Sequence, residues 1–293
     1  MKTGWLLVSG SIKSEKFEDL YRSLMEAATK KNIHLILKRN TGFSVDVTGG
    51  SVAGMTEFPD FIIFWDKDTA LAQGFEKLHI PVFNSASAIE LCDDKYKTVK
   101  ALAGLDIKMP RTFKVPFVYS GMDLFDFSFL DSVEKEISYP LIVKCAKGSF
   151  GEQVHLAKDR GEALAIIHRY AGQTLIIQEY IGSDTGKGKD LRMYMTGNQC
   201  IAAIIRENQH DFRANIHLGG NGKVYQPNLL QIQLAQKIMH MIGLSFAGID
   251  FLFGENGELI LCEVNSNAHF KELYDVTGVN AARSIIDYVD ANS

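Results

Sequence analysis

The segment AGIDFLFGENGELILCEVNSN places two acids and an amide where they could share one task. Asn256-Gly257 is a strong signal for a two-residue hairpin turn. With those two residues as the loop, cross-strand partners have a constant sum of residue numbers, which sets Asp250 opposite Glu263. Asn265, two residues beyond Glu263, falls on the same face. Directly opposed side chains have Cβ atoms about 4.5–5.5 Å apart. Two like charges at that range repel by about 3 kcal/mol at an effective dielectric near 20. The rest of both strands is apolar, which adds a desolvation cost. A divalent cation relieves both costs, and an Asp/Glu/Asn set offers only oxygen ligands, which suit Mg²⁺ or Mn²⁺ rather than zinc. Two other arrangements satisfy the same pattern: solvated carboxylates at an exposed hairpin end, or a dyad sharing one proton.

Lys144 lies in the apolar strand YPLIVKCAKGSFG. A buried lysine needs an anionic partner, or else a stem that snorkels to water. The loop that follows carries Lys147, Gly148, Ser149 and Gly151, whose backbone N–H groups could close over a phosphate or simply turn a hairpin. LIIQEYI ends in Gln178, Glu179, Tyr180 and Ile181, a strand end able to present backbone groups to a purine edge. Asp190, Arg192, Arg206, Asp211, Arg213, Asn215 and His217 form a charged cluster. Forked guanidiniums in such a cluster grip carboxylate or phosphate; the alternative is a solvated charged face.

The elements that must position these groups can be read from the apolar pattern. GWLLVSG, IHLILK, DFIIFW and IPVFN are strands, with a helix after Ser14 and another over 69–78, which implies a parallel α/β sheet. SGSIKSE has one glycine where a dinucleotide fingerprint needs three, so a NAD-binding domain is rejected. Residues 85–105 read as one helix. From 110 to 180 the order is strand, helix, paired strands, helix, strand. LRMYMTG and QCIAAIIR pair about Gly197-Asn198, a loop covers 207–227, and a helix runs from an Asn228 cap to about 242. A last helix begins near Gly278. The expected domains are an N-terminal α/β unit over 1–92, a central lobe over 93–178 and a C-terminal lobe with the metal site over 179–293.

The 293 residues carry 31 Lys plus Arg against 35 Asp plus Glu, a net charge of −4 that argues against general nucleic-acid binding. No run approaches the roughly 20 apolar residues of a membrane span, and the N-terminus reads as a first strand rather than a signal peptide. The four cysteines, none in a CxxC pair, read as free thiols of a cytoplasmic protein.

Taken in order, NSASAIELCDDK, PLIVKCAKGSFG, IIQEYI, GKDLR, HDFRANIHLGG, AGIDFL and CEVN resemble the ATP-grasp superfamily. More narrowly they resemble the ribosomal protein S6 modification (RimK-like) enzymes and the carrier-protein glutamate ligases of lysine and arginine biosynthesis. The resemblance implies ATP held between two α+β lobes behind an N-terminal parallel α/β domain. It places Lys95 and Lys144 on the phosphates, with Gly148, Ser149 and Gly151 above them. It sets Gln178, Glu179, Tyr180 and Ile181 around adenine, Asp190 near the ribose, and Arg213 with Asn215 at the transferring phosphate. Asp250, Glu263 and Asn265 would hold two Mg²⁺ (or Mn²⁺) ions. Arg192, Arg206 and Asn267 become candidate substrate contacts. The implied activity is an ATP-dependent carboxylate–amine ligase that works through an acylphosphate on small-molecule or peptide substrates, as a homodimer or homotetramer. Glutamate is the amino acid such relatives add. A dipeptide ligase and a silent nucleotide-binding regulator are the alternatives. Two departures bear on the substrate: SNAHFKEL follows EVN where the S6 type continues with a small residue, Pro and Gly, and Lys147 replaces an acid common there.

Overall fold

The computed structural model describes residues 1–122, 124–148, 151–182, 186–215 and 219–293. The N-terminal run forms β1 (Thr3–Val8), α1 (Glu15–Lys30), β2 (His34–Arg39), the short β3 (Ser44–Val45) and β4 (Val52–Ala53), β5 (Phe61–Trp65), α2 (Thr69–Lys77) and β6 (Val82–Phe83). β2, β1, β5 and β6 make a parallel sheet in that order. GWLLV and FIIFW are apolar throughout because both faces are covered. Leu6 and Val8 meet Leu20 and Leu24 of α1, while Trp5 and Leu7 meet Leu71 and Phe75 of α2.

The stretch expected as one helix over 85–105 is two, α3 (Ala86–Asp93) and α4 (Lys95–Leu102). Asp94 is extended at the break, with φ −119° and ψ 104°, and its carboxylate caps α4 by accepting from Lys97 N at 3.1 Å. Asp94 also bridges to Lys147, and Lys95 N donates to Ala146 O at 2.8 Å. The break therefore trades helix continuity for backbone pairing with the loop after the next lobe's strand, and it sets Lys95 at a helix start beside that loop.

The central lobe holds β7 (Thr112–Lys114), α5 (Ser128–Glu134), β8 (Leu141–Cys145), β9 (Val154–Ala157), α6 (Arg160–Arg169) and β10 (Leu175–Glu179). Its sheet is antiparallel in the order β7-β10-β8-β9. The C-terminal lobe holds β11 (Gly188–Thr196), β12 (Gln199–Asn208), β13 (Asn221–Tyr225), α7 (Leu229–Ile242), β14 (Phe246–Phe253), β15 (Leu259–Asn265), α8 (Lys271–Thr277) and α9 (Ala281–Asn292). Its sheet is antiparallel in the order β13-β12-β11-β14-β15. The fold class is thus the expected one, a parallel α/β unit followed by two α+β lobes. β13 lies inside the stretch expected as loop, and α8 precedes the expected last helix. Both are short and mostly polar, so hydrophobic periodicity does not mark them. Among the described residues, no helix is long and apolar enough to cross a membrane.

The cores do not stop at the sheet boundaries. Tyr194, Phe246 and α9 residues Ile285, Ile286 and Val289 share one core with Leu6, Leu20 and Leu24. Trp65 stacks on Phe246 with ring centroids 5.3 Å apart. Asn84, with no solvent exposure, is the polar clasp of this junction. Its Nδ2 donates to Phe246 O and Ser266 O at 2.9 Å each, and its Oδ1 accepts from Ser245 N at 2.6 Å and Phe246 N at 3.2 Å.

Removing that amide strands buried backbone groups on two elements. Asn84→Ala should lower unfolding stability by about 3 kcal/mol or more. Guanidinium titration followed by far-UV circular dichroism measures this, and an unchanged midpoint would show the clasp to be dispensable.

Candidate active site

The hairpin of β14 and β15 pairs Asp250 with Glu263 and Gly248 with Asn265, as the arithmetic required. The route to that pairing differs in two places. Gly254 N donates to Glu258 O and Gly257 N to Gly254 O, so the loop is the three residues Glu255–Gly257, with Gly257 at φ +77°. This is a type I turn closed by a left-handed glycine, not a two-residue turn. Phe251 therefore pairs with Leu261, and Cys262 is an extra residue before Glu263 meets Asp250. The longer loop and the bulge cancel.

The bulge has a chemical consequence. Ile249, Phe251, Leu259 and Leu261 pack into the core beneath the sheet. Unbroken alternation would send Cys262 to the cleft and Glu263 into that core. The bulge sends both Cys262 and Glu263 to the cleft and returns Val264, 1% exposed, to the core.

Charges of alternating sign cross this sheet face in a row. Asp190 on β11 is paired with Arg206 on β12, and Arg192 on β11 with Asp250 on β14. Arg206 Nε and its terminal nitrogen donate to Asp190 Oδ1 and Oδ2 at 2.7 and 2.5 Å. Arg192 does the same to Asp250 at 2.7 and 2.6 Å, and Arg206 lies 3.2 Å from Asp250 Oδ2. Asp250 is 4% exposed and Arg206 2%. Burial drives the Asp250 carboxyl upward, but Arg192 and Arg206 outweigh it and hold the group below its ordinary range. Burial likewise opposes the charge on Arg206, and Asp250 and Asp190 keep it firmly protonated.

These pairs revise three expectations. Repulsion between Asp250 and Glu263 does not by itself demand a bound cation, because arginines and Lys95 supply the countercharge; Lys95 Nζ is 3.2 Å from Glu263 Oε1. Arg192 and Arg206 grip carboxylates of the chain itself rather than standing free for a substrate. Asp190 has both oxygens on Arg206, so it orders that arginine instead of facing a ribose unencumbered. The donor set still fits a hard cation. A carboxylate offers about four acceptor positions; on Asp250 the arginines occupy three and the Asn265 N–H the fourth, so a cation would draw first on Glu263 and the Asn265 amide oxygen. Asn265 Nδ2 is 3.4 Å from Asp250 Oδ2, which brings the amide alongside. Among the described residues, Glu263 Oε2 and Asn265 Oδ1 have no partner.

Lys144 faces the same space from β8, where Leu141, Val143 and Cys145 turn to the lobe's own core. It is 6% exposed, and its ammonium has neither hydrogen bond nor ion pair among the described residues. Burial pulls its pKa down from the ordinary lysine range. Beside it, burial pushes the Cys262 thiol up to about 11, so the cysteine stays neutral. Lys95 Nζ donates to Gly148 O at 3.1 Å, and Arg213 donates to Gly151 O at 2.7 Å, tying the glycine loop to both lobes. Gly151 sits at φ +73°, and a Cβ there would meet the Arg213 and Asn215 side chains at 3.5 Å. Arg213 is itself oriented by Asp211, which accepts at 3.0 and 2.7 Å.

At the far wall, Gln178 Nε2 donates to Thr112 Oγ1 at 2.7 Å and Glu179 Oε1 accepts from Arg111 N at 2.7 Å, fixing the strand end that Tyr180 and Ile181 continue. One cavity of about 380 Å³ collects every anticipated site residue that is described, Asn267 included. Ser149 and His217 lie outside the described residues. Asp211 was only one member of the anticipated charged cluster, and Cys262 and Asp66 were not anticipated as site residues. The core spacing Leu259, Leu261, Val264 marks the bulge. Asp66 follows the apolar strand FIIFW, and the carboxyl ends of parallel strands are where ligands bind.

Residues 92–289 match the protein family described as RimK-like ATP-grasp domain. The chain is 26% identical over 301 residues to human N-acetylaspartylglutamate synthase A, with 97% of this chain and 75% of that protein covered. It is 30% identical over 228 residues to a probable alpha-L-glutamate ligase of Coxiella burnetii (strain Dugway 5J108-111), covering 77% of this chain and 72% of the relative. The crystal structure of a RimK domain ATP-grasp protein from Sphaerobacter thermophilus superposes with a TM-score of 0.72 at 19% identity, covering 98% and 99% of the two chains.

An unpaired buried ammonium costs stability that a bound anion would repay. Between its depressed folded value and the ordinary 10.5, the unfolded chain binds the Lys144 proton more tightly, so stability rises with pH across that window. Lys144→Met removes the penalty. It should raise Tm by about 2–5 °C at pH 7, a gain that fades toward the ordinary lysine range. The same change should weaken binding of Mg²⁺-ATP by about tenfold or more. Scanning calorimetry with and without nucleotide reads both, and a fall in Tm would show that Lys144 is already satisfied in the folded protein.

Proposed function

The chain belongs to the RimK-like ATP-grasp family and is an ATP-grasp ligase, and on that premise we propose that it joins a substrate carboxylate to the amine of L-glutamate. The observation that carries this reading is Lys144, a buried cation with no hydrogen bond or ion pair among the described residues, facing the Asp250–Glu263–Asn265 face across one cavity. That arrangement asks for a polyanion accompanied by hard cations, which is the form of a nucleoside triphosphate. Glutamate comes from the two relatives, whose names both specify it.

In this reading Gln178, Glu179, Tyr180 and Ile181 border the adenine. Lys95 and Lys144 neutralise the phosphates, with the loop of Gly148 and Gly151 drawn over them. Asp250, Glu263 and Asn265 would hold Mg²⁺ (or Mn²⁺), which would neutralise charge on the β- and γ-phosphates. The substrate carboxylate oxygen attacks the γ-phosphorus, the bond to the β-phosphate oxygen breaks, and ADP leaves an acylphosphate. The amine nitrogen then attacks the acyl carbon, and phosphate departs as the amide forms. Arg213, held in place by Asp211, meets the charge that develops on the phosphoryl oxygens and on the acyl oxygen, with Asn215 beside it. The pairs Arg192–Asp250 and Arg206–Asp190 keep that face rigid, so positioning rather than new covalent chemistry supplies the rate. The Arg213 bond to Gly151 O links loop closure to the same arginine, which suits exclusion of water from a hydrolysable intermediate.

The test is ADP formation by the purified chain with Mg²⁺-ATP, L-glutamate and a panel of carboxylates that includes N-acetyl-L-aspartate and glutamate-terminated peptides, with the product identified by mass spectrometry. ADP should accumulate beyond one equivalent of protein only when both partners are present. Glu263→Gln should keep the fold by circular dichroism and lose about 10²-fold or more in turnover. Full turnover in that variant would remove Glu263 from the cation site, and ADP release that ignores the amine would remove the ligase reading.

A further inference from the structure

Two unmatched acceptors sit together in the wall that the N-terminal sheet contributes to the cavity. Asp66 follows β5, and Asn267 follows β15. Both side chains line the cavity, yet Asp66 Oδ2 and Asn267 Oδ1 are buried and have no hydrogen-bond partner among the described residues. The two residues are physically joined, because Asn267 Nδ2 donates to the Asp66 backbone carbonyl at 2.8 Å. Asp66 is also oriented: its Oδ1 accepts from Lys67 N at 2.5 Å and from Asp68 N at 3.3 Å, which leaves Oδ2 as the uncommitted atom. The neighbouring Trp65 indole N–H is unmatched too, but its ring stacks on Phe246 in the core.

A buried acceptor without a donor is costly, and native structures keep few of them. Two such acceptors, one of them a carboxylate, ask for a group with at least two N–H bonds and positive charge. Elsewhere in the cavity Asp190 and Asp250 are held by arginines, Glu179 by a backbone N–H and Glu263 by Lys95; among the described residues Asp66 Oδ2 and Asn267 Oδ1 are buried without a donor, and a ligand can supply it. The reaction proposed above has one component of that chemistry, an amine that is an ammonium at neutral pH and must lose a proton before it can attack.

We propose that Asp66 and Asn267 form the seat of the attacking amine and that Asp66 is the base that deprotonates it. This rests on the ligase reading. The ammonium gives one proton to Asp66 Oδ2 and keeps the lone pair so freed. That pair forms the C–N bond at the acyl carbon, and the carbon–oxygen bond to the phosphoryl group breaks with its electrons going to phosphate. The second proton that nitrogen sheds leaves with phosphate, and Asp66 returns its own proton to solvent. Asn267 Oδ1 accepts from another N–H and fixes the lone pair's direction. Burial raises the Asp66 carboxyl above the ordinary carboxylate range, which suits a group that must hold a proton for part of a cycle.

The experiment compares two nucleophiles on the full chain with Mg²⁺-ATP and N-acetyl-L-aspartate or the best carboxylate of the panel. L-Glutamate arrives as an ammonium; hydroxylamine is largely neutral near pH 7 and needs no base. Asp66→Asn should lower the ratio of glutamate-dependent to hydroxylamine-dependent kcat/KM by about 10²-fold or more. Its Tm should match or exceed that of the parent, since a carboxylate kept unmatched for function is replaced by an amide. An unchanged ratio, whether both rates fall or neither does, would overturn the assignment and leave Asp66 and Asn267 sharing a proton as a structural pair. If Asp66→Asn fails to fold, Asn267→Ala decides: a rise in KM for glutamate and not for hydroxylamine supports the seat, and equal KM shifts overturn it. A parent chain that makes ADP with neither nucleophile would sink the ligase reading, and the seat with it.

Discussion

The site depends on a single extra residue. Cys262 interrupts the pleat of β15, and only that interruption lets Glu263 leave the core face and meet Asp250 over the cleft. The energetic logic is one-sided. An ionised glutamate among Ile249, Phe251 and Leu261 would be desolvated with nothing to pair with, whereas the bulge costs one ladder position. The three-residue loop closed by Gly257 then sets the register at the other end of the same strand. Turn and bulge are a matched pair: the three-residue loop without the bulge would slip Glu263, Val264 and Asn265 by one place and exchange their faces, and the bulge with a two-residue turn would slip the whole strand from Leu259.

Charge on that face is balanced inside the protein before any ligand arrives. Asp190, Asp250 and Glu263 meet Arg206, Arg192 and Lys95 in a row across four strands. A buried row of this kind adds little net stability, since desolvation offsets much of the Coulomb gain. Its use is geometric, because Asp190 and Asp250 are each held by two forked arginine bonds, and Lys95 holds Glu263 by one oxygen. Lys144 is the departure from balance: a fourth cation, buried, with neither hydrogen bond nor ion pair among the described residues. The surplus positive charge therefore lies at the floor of the cavity, where a phosphate chain would be neutralised. Specificity for an anion thus comes from what the fold leaves unpaired, and rigidity from what it pairs.

Much of this was legible in the residues. Continuous apolar runs identify β1, β5, β8 and β10 and make the first sheet parallel. Motif order from Asn84 to Asn265 identifies the lobes, and the hairpin places Asp250 against Glu263. What was not legible follows from three kinds of competition. Helix propensity carries straight through Asp94, but backbone pairing of Lys95 with Ala146 breaks the helix there, a tertiary effect that no local window contains. β13 and α8 have too little apolar periodicity to stand out, and neighbours hold them. The arginines looked like free clamps because spacing shows which side chains share a face, not which of them have already found one another. The cysteine bulge could have been read, since core positions 259, 261 and 264 break strict alternation by one.

The contribution of the first 90 residues is easy to underrate, because their sheet has none of the residues proposed to hold phosphate or metal. Yet Asn84 clasps β6 to β14 and to the turn after β15, and Trp65 stacks on Phe246 in a core that α9 completes. That clasp fixes the carboxyl end of β5 against the residues just beyond the Asp250–Asn265 face, so Asp66 meets Asn267. A parallel sheet delivers its strand ends to one edge, and an antiparallel hairpin delivers alternate side chains to one face. The cavity exists where that edge and that face are locked together. In the function proposed here the hairpin face would hold the phosphates and their cations, and the strand edge would seat the amine. On that reading, change at the edge would alter the amine accepted without disturbing the paired charges that hold the face. The sequence departures agree with that separation: the Asp250, Glu263 and Asn265 positions match the resemblance, while the residues that follow, Asn267 among them, differ from the S6-modification pattern.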